Sequence, residues 1–310
     1  MTKFAFVFPG QGSQSSGMMN SYADFTTVRD TFTEASDVLK QDIWQLVAEG
    51  SDAEMSATVN TQPIMLTAGV AVYRAWQSQK GAIPTVMAGH SLGEYTALVA
   101  AGALSFADAL PLVRYRAECM QQAVPEGVGG IAAILGLSED AVRAVCLEAA
   151  QNEVLEAVNY NSPIQTVIAG NRAAVERGME LAKAKGAKRA IILPMSVPSH
   201  CRLLKGAAEQ LRTYLANIPV QTPAIPVLNN ADVAVYSDGA AIKDALVRQL
   251  YSPVRWVETV LEFGKLGITH NVECGPGKVL AGLNKRIDSN QQALALNDGE
   301  ALKQALLALA

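Results

Sequence analysis

The sequence predicts an α/β fold: a larger domain on a mainly parallel sheet, with a ferredoxin-like small domain inserted into it. Three observations predict it. Phe4 to Phe8 is a continuous apolar run, the pattern of a strand buried on both faces of a sheet. A unit of strand, tight turn and helix recurs in the N-terminal part of the chain. The middle of the chain reads β-α-β-β-α-β, the order of a self-contained small domain.

Pro9 and Gly10 end the first strand, and the loop Gly10-Gln11-Gly12-Ser13-Gln14 follows. Tyr22 to Glu49 reads as helical with polar breaks. Asn60-Thr61-Gln62-Pro63 offers a cap residue and an early proline, opening a helix that runs to Gln79. Thr85 to Ala88 is a second strand, followed at once by Gly89-His90-Ser91-Leu92-Gly93 and a helix to Ala101. In the middle, Gly129 to Leu137, Val154 to Tyr160, Gln165 to Ala169 and Lys188 to Leu193 read as strands. Ser138 to Gln151 and Asn171 to Lys185 read as the intervening helices. The small domain is therefore expected at 126–195, and the large one at 1–125 and 196–310. A strand at Ala224 to Leu228, a helix from Asp238 to Leu250 and a strand at Ile268 to Val272 continue the large domain. Gly275-Pro276-Gly277 is expected to open a last long helix.

Composition bounds the function. The 310 residues suffice for two domains at about 150 residues each. Hydrophobic residues make up 50% and charged residues 17%, against about 25% charged in an ordinary soluble protein, which excludes disorder. A net charge of -4 argues against nucleic acid or an anionic membrane as partner, since both select a basic field. Cys119, Cys146, Cys201 and Cys274 form no CxxC pair and have no histidine cluster beside them, so no metal site is expected. A reduced, cytoplasmic protein is the simplest reading. The N-terminal apolar run is too short for a signal-peptide core, and the longest uncharged stretches fall short of the roughly 18 residues of a membrane span.

Gly89-His90-Ser91-Leu92-Gly93 fits G-x-S-x-G between a buried strand and a helix, the context of a nucleophile elbow. A bare match is common by chance; the context favours a nucleophilic Ser91 over a turn serine. The first N–H groups of the following helix, beginning with that of Leu92, lack intrahelical partners and can hold an oxyanion. A serine hydroxyl needs a base, and three histidines are available. His90 adjoins Ser91 and its side chain is expected to point away, whereas His270 reads as a strand-end residue. His200, on the loop returning from the small domain, is the candidate base. Asp108 reads as part of a Ser105 capping box and Glu139 and Asp140 as the exposed start of a helix, so a Ser-His dyad oriented by a carbonyl is expected instead of a triad. In the helical stretch Ala109 to Gln122, Arg116 shares a stripe with Ala109, Leu112, Val113 and Met120, while Arg114 and Glu118 are expected to pair outside. An arginine on that face needs an anion, either a structural carboxylate or a substrate carboxylate gripped bidentately.

PGQGSQ, TQP, GHSLGEY, RYRAECMQQA, NYNSPIQTVIAG, VPSHC, QLYSPVRW and ECGPGKVLAGLNKRI together resemble the bacterial malonyl-CoA:acyl carrier protein transacylases. These segments span nearly the whole chain in the family's order. The resemblance implies a hydrolase-like α/β core with a ferredoxin-like small domain. It implies Ser91 as nucleophile, His200 as base and Arg116 as ligand of the malonyl carboxylate. It further implies oxyanion-hole N–H groups from Gln11 and Leu92, a carbonyl of Gln249 orienting His200, and supporting roles for Gln62 and Asn161. The implied reaction moves a malonyl group from malonyl-CoA through a serine ester to the phosphopantetheine thiol of acyl carrier protein, with no metal or bound cofactor. Acyl carrier proteins of such systems are acidic, and Lys183, Lys185, Lys188 and Arg189 form a basic run that reads either as a landing patch or as a solvated helix end. A serine hydrolase or thioesterase would use the same dyad with water, but has no need of the Arg116 clamp. A docking domain that had lost its chemistry has no reason to keep Ser91, His200, Arg116 and Gln11 together.

Overall fold

The computed structural model describes residues 2–125, 127–194 and 197–310. In chain order the strands are β1 (Phe4–Phe8), β2 (Val86–Gly89), β3 (Gly129–Leu135), β4 (Leu155–Ser162), β5 (Gln165–Asn171), β6 (Arg189–Ile192), β7 (Val227–Leu228), β8 (His270–Cys274) and β9 (Gln292–Leu296). Five of them form a sheet in the order β7-β2-β1-β8-β9, in which every pairing is parallel. Such a sheet needs helices on both faces, and β1 suits its centre because both of its faces are apolar. Phe6 meets Trp76 and Tyr73 of the Thr58–Ser78 helix at ring-centroid distances of 5.3 and 5.9 Å. Ala5 and Val7 pack oppositely, with Trp256, Val260 and Phe263 of the Trp256–Lys265 helix. The carboxyl ends of all five strands open on one edge, where ligands of open parallel sheets gather.

The second sheet has the order β4-β5-β3-β6 and is antiparallel throughout. Val142 and Val145 of the Glu139–Ala150 helix and Val175 of the Arg172–Ala184 helix pack on one face with Ile134 and Ile168. Ile131, Val158 and Val167 cluster on the other face with Cys201 of the returning chain. The second sheet is tied by backbone hydrogen bonds to Val254, on the connection before the Trp256–Lys265 helix, whose side chain is buried with Ala5 and Val7 of the first sheet: Tyr160 N–H donates to Val254 O at 3.0 Å and Val254 N–H to Val158 O at 2.9 Å.

Several local expectations are corrected. The helix expected to open at Asn60 begins at Thr58, because the Asn60 amide donates to Glu54 O instead of capping, and Pro63 lies inside the helix. Residues 22–49 divide into Thr26–Leu39 and Ile43–Glu49: Lys40 turns left-handed (φ 53°), and Asp42 caps the second helix. The Trp256–Lys265 helix was not foreseen. The long C-terminal helix is instead Val279–Ile287, then β9 paired to β8, then Gly299–Ala308 with Asp298 as its cap. Arg114 donates to Leu39 O and Gln41 Oε1 and not to Glu118, because the loop after the Thr26–Leu39 helix lies within its reach. The expected domain junctions fall at Glu126, Met195 and Ser196, outside the described residues. Among the described residues no helix is long and apolar enough to cross a membrane.

Gly93 shows how tightly the site's scaffold closes, since a Cβ there would overlap the Phe8 carbonyl. Gly93→Ala should therefore cost about 3 kcal/mol of stability in urea unfolding. Gly282→Ala, in a helix with open space around it, should be neutral or slightly stabilising.

Candidate active site

Ser91 lies where β2 gives way to the Gly93–Ala100 helix, in left-handed backbone with φ 52°. That conformation is strained for a residue with a side chain and persists only where neighbours enforce it. A Cβ on Gly89 would overlap the backbone of Gly93, and one on Gly10 would meet the His90 carbonyl oxygen at 2.6 Å, so the turn requires glycine at both places. The buried Asn230 amide, just past the end of β7, braces the turn from the next strand. Its Oδ1 accepts from Ser91 N–H at 2.7 Å and its Nδ2 donates to Gly89 O at 2.6 Å.

Ser91 Oγ sits 2.8 Å from His200 Nε2. His200 Nδ1 sits 2.8 Å from the backbone carbonyl of Gln249, which only accepts, so Nδ1 carries the proton and Nε2 is free to accept from Oγ. His200 also has left-handed backbone, φ 65°, with its N–H donated to Leu250 O. Burial, and then the nearby Arg116 cation, push the imidazole from 6.5 down to about 3, so it is neutral at neutral pH. The acidic residues considered from sequence lie elsewhere: Asp108 is at the Ser105 cap and Glu139 pairs with Arg143.

Arg116 is fully buried on its helix stripe. Nη1 donates to Gln62 Oε1 at 2.8 Å; Nη2 donates to Gln249 Oε1 at 3.0 Å and reaches Ser91 Oγ at 3.3 Å. The guanidinium lies 5.3 Å over the Tyr95 ring, and Nε has no hydrogen-bond partner among the described residues. Its direct partners are neutral, so a cation with donor capacity to spare stands beside the nucleophile. Among the described residues no carboxylate is in direct contact with this arginine to form the structural salt bridge considered for it.

Gln11, Gln62, Leu92 and Asn161 line the same cleft as Ser91, His200 and Arg116, and Ile131, Val167 and Leu193 of the antiparallel part close it from the other side. Among the described residues the N–H groups of Gln11 and Leu92 have no hydrogen-bond partner. His90 points away from Oγ, its Nε2 donating to Asn161 Oδ1 on β4 at 2.8 Å, so it ties the elbow to the second sheet. His270 begins β8, beside Thr269. In the basic run, Lys183 pairs with Glu180 and Lys185 with Glu148, while Lys188 and Arg189 line a separate groove with Arg286.

Two site residues were missed from sequence. Gln249 Nε2 donates to Glu94 Oε2 at 2.7 Å and to Ser91 O at 3.0 Å, and Asn230 N–H donates to the same Glu94 oxygen at 2.9 Å. Glu94 is the sole formally charged residue between Gly81 and Ala107, which is a usable signal. Asn230 follows the carboxyl end of a short parallel strand, which is another.

A serine held at a strand-to-helix elbow, with a neutral imidazole on its hydroxyl and a cation beside it, has the layout of an acyl-transfer site. Residues 5–293 match the acyl transferase domain family. Within it, the chain belongs to the malonyl-CoA–acyl carrier protein transacylase family. It is 53% identical to the malonyl CoA-acyl carrier protein transacylase of Salmonella typhimurium over 99% of each chain. It superposes with a TM-score of 0.97 on the acyl-carrier-protein S-malonyltransferase of Burkholderia pseudomallei, at 62% identity over 99% of this chain and 100% of that one. With a malonyl-transacylase solved in complex with its type II PKS acyl-carrier protein, the TM-score is 0.98 at 50% identity, over 99% and 100% of the two chains.

A histidine buried neutral lowers stability once the unfolded chain can bind a proton that the native site refuses. Relative to His200→Gln, wild-type stability in urea should therefore fall as pH drops from 6.5 toward about 3. Parallel curves for the two proteins would mean that the imidazole is not held neutral.

Proposed function

We propose that the chain transfers a malonyl group from malonyl-CoA to the phosphopantetheine thiol of acyl carrier protein by double displacement, supplying malonyl carrier protein for fatty acid biosynthesis in the cytoplasm. The observation that carries this reading is the Arg116 guanidinium 3.3 Å from Ser91 Oγ. A buried cation so close to a nucleophile suits an acyl group that itself bears an anion, and malonyl has a carboxylate one methylene from its thioester carbonyl.

Ser91 Oγ attacks the thioester carbon as its proton passes to His200 Nε2. The oxyanion is held by the N–H groups of Gln11 and Leu92, and the imidazolium by the Gln249 carbonyl. Collapse breaks the C–S bond and His200 returns the proton to the CoA thiolate. The carrier's thiol then gives its proton to His200 and attacks the ester, and Ser91 leaves as the alcohol. Gln62 fixes Arg116 and Asn161 fixes His90, so both support the site without touching the reacting atoms. Each step runs on residues of the chain, so the reading calls for no resident metal or cofactor. The β3-helix-β4-β5-helix-β6 segment is read as a ferredoxin-like unit inserted at 126–195, on the strength of its element order and sheet order. For the acidic carrier protein, Lys188 and Arg189 with Arg286 are the better landing site, because Lys183 and Lys185 already have acidic partners.

Malonyl-CoA alone should leave one malonyl group on the protein, read by intact mass and mapped to Ser91, and Ser91→Ala should take none. Label persisting on the alanine variant, or wild type that only hydrolyses the thioester, would sink the reading.

Arg116→Ala should weaken malonyl transfer by about 2 to 5 kcal/mol in kcat/KM, the usual loss when one partner of a buried charge pair is removed. Slow acetyl transfer should persist, provided circular dichroism shows a folded protein. Equal loss of both would assign Arg116 to the scaffold.

A further inference from the structure

Glu94 is almost wholly buried and takes no part in the proton transfers above, yet it closes a chain of contacts that ends at the nucleophile. Its Oε2 accepts from the Gln249 side-chain amide at 2.7 Å and from Asn230 N–H at 2.9 Å. With Nε2 committed to that carboxylate, Gln249 Oε1 must turn the other way, where it takes Arg116 Nη2 at 3.0 Å. A flipped amide would set N–H against N–H. The guanidinium's direct partners are neutral, and Glu94, one amide away, is the nearest carboxylate to it in this network.

We propose that Glu94 is a positioning and specificity-determining residue. It orients the Gln249 amide that aims Arg116, and it is the guanidinium's counter-charge until the substrate carboxylate displaces that role, at which point Glu94 takes up a proton. This rests on the malonyl reading above. Two carboxylates and one guanidinium in a site shielded from water cannot all stay charged at low cost, so one carboxylate must be neutralised. The substrate carboxylate, in direct contact with the cation, keeps its charge; Glu94, one amide further away, gives way. Burial already raises Glu94 from the ordinary carboxylate range to about 7. The charged and titratable groups around it are Arg116 across the Gln249 amide, Tyr95 on its own helix, Asp232 in its ion pair with Arg248, and His200 behind the Gln249 carbonyl. A second small cavity, lined by Glu94, Asn229 and Tyr236, shares no lining residue with the acyl cleft, so the far side of Glu94 is not covered by the bound acyl group.

The test uses malonyl-pantetheine and acetyl-pantetheine, which lack the titrating phosphates of CoA, with the full-length protein and its Glu94→Gln and Glu94→Ala variants. Proton uptake on binding should raise wild-type KM for malonyl-pantetheine about tenfold between about pH 6 and about pH 9, with KM for acetyl-pantetheine flat. Glu94→Gln keeps an oxygen for both N–H donors but no charge, so its malonyl KM should not vary over the same range. Glu94→Ala frees the Gln249 amide and should lose malonyl transfer at every pH; should it fail to fold, the glutamine variant alone carries the test. A flat wild-type profile, an unchanged rise in Glu94→Gln, or an equal rise with the acetyl substrate would overturn the proposal. Wild type that takes no malonyl group on Ser91 would instead overturn the reading beneath it.

Discussion

The left-handed backbone of Ser91 is the constraint on which the site depends. A parallel strand ends, the chain reverses into a helix within a few residues, and the side chain at the apex projects from the sheet edge. Nothing in the short segment itself would hold a serine there. The glycines on either side make room, the loop after β1 closes against the His90 carbonyl, and the Asn230 amide clamps both sides of the apex from β7. The strain is thus met from both neighbouring strands at once, and the hydroxyl lands within hydrogen-bond reach of His200.

The second requirement is electrostatic. The cleft holds an imidazole kept neutral by burial and a guanidinium kept charged, within reach of the same hydroxyl. These demands conflict, because a cation nearby also depresses the imidazole. A carbonyl orients the imidazole where many hydrolase sites use a carboxylate, and it supplies the required tautomer without bringing a second net charge next to Arg116. The Gln249 residue performs both tasks, its backbone oxygen on His200 and its side chain between Glu94 and Arg116.

The second sheet completes the cleft. Ile131, Val167 and Leu193 wall it opposite the elbow; the His90–Asn161 hydrogen bond ties that wall to the elbow, and the backbone bonds at Val254 tie it to a connecting segment packed on the first sheet. Water exclusion from a thioester site therefore depends on contacts between the sheets as well as on the serine's own surroundings.

The sequence by itself determined the strands with continuous apolar runs, the elbow, the histidine on the returning loop and the anomalous arginine. Each is a local signal: a buried strand, a glycine-forced turn or a charge on an apolar stripe is written in adjacent residues. It did not determine β9, whose apolar residues become a strand only by pairing with β8. Nor did it reveal Glu94 and Asn230, which act at a site 136 positions apart in the chain, or which way Arg114 would turn. Those outcomes were decided by tertiary structure, because they depend on which donor meets which acceptor once distant segments are packed. Hydrophobic periodicity records that a residue will be buried, but only the folded neighbours set what a buried polar group finds there.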